Sequence, residues 1–116
     1  MPATILVADD EIFIVEFVTT LLEDEGYNVV RAFNGREALA RLEHGGCDLL
    51  ITDNMMPHLS GLQLIDHLRA DPALDIPVIL MSAALPSLPP PPTVFLPKPF
   101  DLDELLQQVA ALLDSV

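Results

Sequence analysis

Apolar positions in this chain follow two alternating rhythms. Thr4-Ile5-Leu6-Val7-Ala8 is a continuous, β-branched-rich apolar run, which reads as a strand buried on both faces. From Glu11 to Glu25 the apolar residues Ile12, Val15, Val18, Leu21 and Leu22 recur at helical spacing, and Gly26 stops them. Tyr27 to Arg31 is a short second strand. Asn34-Gly35 is a turn, with Asn34 placed to cap a helix over Arg36 to His44 that Gly45-Gly46 ends. Asp48 to Thr52 is a third strand. Gly61 to Ala70, carrying Leu62, Leu64, Ile65 and Leu68, is a helix broken by Asp71-Pro72. Pro77 to Met81 and Thr93 to Leu96 are further strands. Asp101 caps a last helix that turns Leu105, Leu106, Val109, Leu112 and Leu113 inward.

Strands that alternate with helices, and are themselves nearly all apolar, imply a parallel sheet covered on both faces. Five such units over residues 1–116 predict one α/β domain. Its expected architecture is a doubly wound, flavodoxin-like sheet of strand order 2-1-3-4-5. Ligands of such sheets bind beyond the carboxyl ends of the strands, where the winding direction switches. Asp9 and Asp10 close the first strand, Asp53 closes the third, Ser82 follows the fourth and Lys98 follows the fifth. The topology therefore predicts all five on one rim.

Composition narrows the class. A chain of 116 residues can bury a real core, and 51% hydrophobic with 20% charged residues is neither a disordered nor a membrane composition. No apolar stretch approaches the roughly 18 residues of a membrane span. The first residues lack the basic region and long apolar run of a signal peptide. The single Cys47 allows no internal disulfide and fits a reducing, cytoplasmic setting; its ordinary reading is a small buried residue entering a strand. With 18 Asp+Glu against 5 Lys+Arg, the net charge of −13 disfavours direct nucleic-acid binding. A partner surface is expected to be neutral or basic.

Against that acidity stands one lysine, Lys98, held between Pro97 and Pro99. Asp9, Asp10 and Asp53 would repel one another if clustered, and a divalent cation plus an ammonium would relieve the repulsion. The pattern predicts a Mg²⁺ site built around Asp53, with Lys98 as the fixed positive group. Ordinary readings compete for each residue alone. Asp9-Asp10 could serve as a helix cap and first-turn acid, Ser82 as a loop hydroxyl, and Phe95 as core. His44, His58 and His67 have no metal-ligand spacing and read as surface residues.

The ordered set resembles the receiver domain of two-component response regulators, over essentially the whole chain. The resemblance rests on Asp9-Asp10, the run Asp53-Asn54-Met55-Met56-Pro57-His58-Leu59-Ser60-Gly61, Ser82-Ala83 and Lys98-Pro99-Phe100. It implies that Asp53 is the phosphoacceptor, attacking phosphorus as a carboxylate nucleophile to form an acyl phosphate. The donor would be a histidine kinase or a histidine phosphotransfer protein, and modification would switch the binding of a downstream partner. The resemblance also implies that Asp10 and Asp53 ligate Mg²⁺ directly, Asp9 through a water, and Met55 through its backbone carbonyl. Lys98 and Ser82 would each contact a phosphoryl oxygen, and Phe95 would be the aromatic that turns inward. Pro57 and Gly61 would shape the loop over the site. A cis peptide before Pro99 would aim Lys98 inward.

One region departs from the family. Only fifteen residues, Ala83 to Pro97, separate Ser82 from Lys98, and Pro89 to Pro92 are consecutive prolines. A receiver places a full helix here, which four prolines cannot continue; they favour polyproline II. The expectation is an absent or one-turn fourth helix and an altered output face. The chain stops at Val116, just after its last helix, which suits either a stand-alone receiver or part of a larger protein. Two other readings rank below a phosphorylatable receiver that turns over no substrate. A degenerate receiver, acting as a phosphorylation-independent interaction module, is opposed by the intact site set. A Mg²⁺-dependent phosphohydrolase is opposed by Met55, where such an enzyme commonly has a second acid.

Overall fold

The computed structural model describes residues 2–82 and 93–114. Five strands, β1 (Thr4–Ala8), β2 (Asn28–Ala32), β3 (Leu49–Asp53), β4 (Val78–Ser82) and β5 (Thr93–Pro97), form one parallel sheet. Its order is β2-β1-β3-β4-β5, as expected. Helices α1 (Ile12–Asp24), α2 (Gly35–His44), α3 (Gly61–Ala70) and α4 (Leu102–Asp114) connect or follow the strands, with a short 3₁₀ turn at Pro72–Leu74.

Alternation along the strands divides the core in two. Ile5, Val7, Ile51, Ile79 and Met81 face α1 and α4, and pack with Val15, Val18, Leu22, Leu105 and Val109. Leu6, Leu50 and Leu80 face the other way, onto Ala38 and Leu42 of α2 and Leu64 and Leu68 of α3. Central strands β3 and β4 are buried at every position, which is why they read as unbroken apolar runs.

The helix starts are written in short polar residues. Asn34 Oδ1 accepts from Glu37 N at 2.8 Å, while Glu37 Oε1 accepts from Phe33 N at 3.2 Å. Ser60 and Gln63 form a reciprocal capping box, at 3.2 and 2.9 Å. Asp101 Oδ1 accepts from Asp103 N at 2.8 Å, so it caps α4 as its sequence position predicts.

Several details differ from the pattern. Strands β2, β3 and β4 each lie one residue further along than expected, and β5 runs one residue longer. Tyr27 N is spent on Leu22 O at 3.2 Å, closing the end of α1, so ladder pairing begins at Asn28. At the other ends, Asp53 pairs with Met81 and Ser82 with Pro97, which carries both polar residues into their strands. Ile12 does not face inward: it is 65% exposed, in the first turn of α1, and the buried stripe instead includes Thr19. Cys47 is half-buried rather than buried. The expectation of an absent or shortened fourth helix concerns residues 83–92, which lie outside the described residues. No helix among the described residues is long and apolar enough to cross a membrane.

Candidate functional site

The carboxyl ends of β1, β3 and β5 bring the acids and the lysine together. Asp9 leaves β1 fully buried, its Oδ1 accepting from Glu11 N at 3.0 Å. Asp10 beside it is exposed, and Asp53, the last residue of β3, is buried. A carboxylate oxygen from each of the three lies within 4.8 Å of the others. Lys98 reaches across from the far side: its Nζ stands 3.2 Å from Asp9 Oδ2, 3.4 Å from Asp53 Oδ1 and 3.8 Å from Glu11 Oε1. Its backbone N donates to Ser82 O at 3.0 Å, and its peptide bond to Pro99 is cis.

Burial dominates the electrostatics. It pushes the Asp9 carboxyl up to about 6, with the Asp53 charge adding and the Glu11 N–H and Lys98 opposing. Asp53 is raised for the same first reason, against Lys98 and the Asn54 N–H. Burial would lower the Lys98 ammonium, but the Asp9 and Asp53 charges outweigh it and hold the group above its ordinary value. The arrangement is a nest of hard oxygen donors with an excess of negative charge and one fixed cation. Mg²⁺ suits such donors, because it prefers oxygen and is commonly held by one or two carboxylates.

The loop after β3 is pinned over this cluster. Asn54 is buried; its Oδ1 accepts from Leu62 N at 3.0 Å and its O from Gly61 N at 3.1 Å. A Cβ on Gly61 would lie 2.5 Å from Asp53 O and 2.8 Å from Leu80 Cδ1, so no larger residue fits unchanged. Pro57 O accepts from Leu59 N at 2.8 Å, and His58 between them holds a φ of +71°. Met55 exposes 72% of its surface on the same loop. Ser82 is buried at the end of β4. Phe95 is half-buried on β5, beside Leu80 in register, and on the strand face opposite Leu96. His44, His58 and His67 are all exposed, as expected.

Two contributors escaped the sequence reading. Glu11 joins the Lys98 network, and Asn54 anchors the loop to the start of α3. Glu11 adjoins an acidic pair and reads as one more acid at a helix start. Nothing in the local pattern marks Asn54, since its partner lies eight residues on.

A doubly wound sheet whose carboxyl rim gathers three acids and a lysine is the arrangement that the resemblance to receiver domains implies. The sequence profile of the response regulator receiver domain matches residues 5–89. The response regulator MprA of Mycolicibacterium vanbaalenii is 37% identical over 119 aligned residues, covering 97% of this chain and 51% of that protein. The chain spans about half the length of the curated relatives it matches. Among solved structures, the receiver domain of a Francisella response regulator superposes with a TM-score of 0.85 at 35% identity, covering 96% of each chain. The response regulator TrrA of Thermotoga maritima, solved in complex with Mg²⁺-BeF, superposes with a TM-score of 0.84 at 35% identity, covering 95% of this chain and 98% of that one. The chain belongs to the response regulator receiver domain family.

Proposed function

We propose that Asp53 accepts a phosphoryl group from a histidine kinase or histidine phosphotransfer protein in a Mg²⁺-dependent reaction, and that this modification switches partner binding. The observation that carries the reading is the placement of the sole lysine within 3.4 Å of a buried carboxylate that ends a central strand. A carboxylate oxygen of Asp53 attacks phosphorus, the bond from phosphorus to the donor nitrogen breaks, and an acyl phosphate forms. Asp9, Asp10 and Asp53 would hold the metal, with the Met55 carbonyl as a further oxygen donor. Bound Mg²⁺ supplies positive charge that offsets the charge on the transferring group. Lys98, already held between Asp9 and Asp53, offers its ammonium to a phosphoryl oxygen. Ser82 at the end of β4 offers a hydroxyl to another, with Phe95 on β5 responding. Pro57 and Gly61 fix the loop that frames the acceptor.

The Mg²⁺-BeF complex of TrrA supports the metal assignment, since that protein shares the fold at 35% identity. We take residues 1–116 as one receiver unit that signals from the cytoplasm and turns over no substrate of its own. The intact Asp9, Asp10, Asp53 and Lys98 cluster disfavours a degenerate receiver, and exposed Met55 offers no second acid to a phosphohydrolase.

Intact mass after incubation with acetyl phosphate tests the reading. A single phosphoryl adduct should appear with Mg²⁺, vanish with a chelator, and be absent from Asp53→Asn. An adduct that persists in Asp53→Asn would place the acceptor elsewhere.

A further inference from the structure

The connection between β2 and α2 touches the carboxylate cluster's surroundings on two sides. On one side it holds Asp9, whose backbone N donates to Ala32 O, at the end of β2, at 3.2 Å. On the other it meets the loop after Asp53. A Cβ on Gly35 would fall on the Leu59 carbonyl oxygen, and would lie 2.5 Å from Leu59 Cβ and 2.6 Å from its carbonyl carbon. Only a residue without a side chain lets these two backbones approach so closely.

Neither partner in this contact is free to yield. Gly35 is buried, and the start of its helix is fixed from both sides: Asn34 Oδ1 accepts from Glu37 N at 2.8 Å, and Glu37 Oε1 accepts from Phe33 N at 3.2 Å. Leu59 packs against the buried cluster that contains Ala38 and Leu42 of α2. Its N donates to Pro57 O at 2.8 Å around His58, whose φ is +71°. A bond that spans one residue at positive φ is the pattern of a γ-turn. Such a turn is strained, and it persists where its surroundings hold it. The near end of the loop is held too, because Asn54 accepts from Leu62 N and from Gly61 N.

Between these anchors lie Met55 and Met56. The anchors close a path: from Asp9 to Ala32, along the connection to Gly35, across to Leu59, and back along the loop to Asp53. That path sets where the loop's backbone carbonyls stand relative to the two buried acids. Mg²⁺ demands a near-ideal octahedron of oxygens, so small displacements of one donor weaken it more than they would a larger, more tolerant cation.

We propose that Gly35 is a positioning residue for the metal site: it seats the loop after β3 against the start of α2, and so fixes the Met55 carbonyl relative to Asp9 and Asp53. The proposal rests on the Mg²⁺ reading above. It adds a residue on a different element, which touches neither the metal nor the phosphoryl group.

The test is titration calorimetry of the full 116-residue chain with MgCl₂, well below its Tm. Gly35→Ala should weaken Mg²⁺ binding about tenfold or more, as loss of a support behind a metal ligand does. Asn34→Ala is the control. It opens the cap of the same helix without reaching Leu59, so it should lower the Tm and leave Mg²⁺ affinity unchanged. A Gly35→Ala chain with a lower Tm and unchanged affinity means packing alone, and overturns the proposal. Equal weakening in both variants also overturns it, because any loosening of α2 would then suffice. A measurement without substitution covers a Gly35→Ala chain that does not fold. In the wild-type chain, Mg²⁺ should slow hydrogen exchange at Leu59 N and also at Ala38 N, which donates to Asn34 O at 3.1 Å in the first turn of α2. The slowing should exceed that in NaCl of equal ionic strength. Slowing at Leu59 with none at Ala38 overturns the proposal. Mg²⁺ binding that Asp10→Asn leaves intact overturns the metal reading itself, and this proposal with it; no outcome at Gly35 imitates that result.

Discussion

At Gly61 an absent side chain decides the geometry. The Asp53 carbonyl and a core leucine, Leu80, occupy the space where a Cβ would go, at 2.5 and 2.8 Å. Gly61→Ala must displace backbone, so it should destabilise by about 1–3 kcal/mol, as overpacking does. The expected result is a lower urea midpoint at unchanged slope, with slower uptake of phosphoryl from acetyl phosphate. Thr19 presents the opposite fault. Its hydroxyl is buried under α1 with no hydrogen-bond partner among the described residues. Thr19→Val keeps the branched shape and removes the unpaired polar group, so it should raise stability by about 1 kcal/mol, visible as a higher Tm. Residues of this kind mark the limit of sequence reading. The acids and Lys98 were legible because charge is rare at the end of an apolar run. Thr19 was not, because its burial follows from the rotation of α1, which turns Ile12 outward.

Elements were more legible than their ends. Two caps could be read because they obey local chemistry: Asn34 and Asp101 each bond a backbone N–H two or three residues on, whereas Ser60, which caps α3 in the same way, was not read as a cap. Ser60 has a further role, since α3 begins where the loop after Asp53 ends. Ser60→Ala should cost about 1 kcal/mol by opening the reciprocal box with Gln63. Hydrogen exchange should show faster exchange in the first turn of α3 and little change in β3. Strand ends were displaced by one residue because register is a property of pairs. Asp53 belongs to β3 by virtue of Met81 on the neighbouring strand, and no window around Asp53 contains that information.

At the scale of the whole molecule, the sheet concentrates negative charge at one rim of a chain that is already at −13. Clustered acids held by burial should make the metal-free fold less stable than its core permits. Mg²⁺ should then stabilise by mass action, about 2.7 kcal/mol at a hundredfold excess over its dissociation constant. A thermal scan should show Tm rising with MgCl₂ beyond the effect of NaCl at equal ionic strength, and Asp10→Asn should remove most of that difference. Equal responses to the two salts would mean simple screening of a very acidic surface. The fold was readable at this scale because alternating apolar runs and amphipathic helices admit few topologies, and that topology then placed the rim residues together.

The opposite rim has a use of its own. Between α2 and β3 the chain turns through Gly45 and Gly46, with φ of +88° and +89°, and nothing lies within 4 Å of where their side chains would project. All the acids and the lysine of the cluster lie at the other ends of the strands. Gly45-Gly46 is thus a natural seam in the chain: a fluorescent protein or an affinity handle spliced there would ride on the domain without reaching its working face.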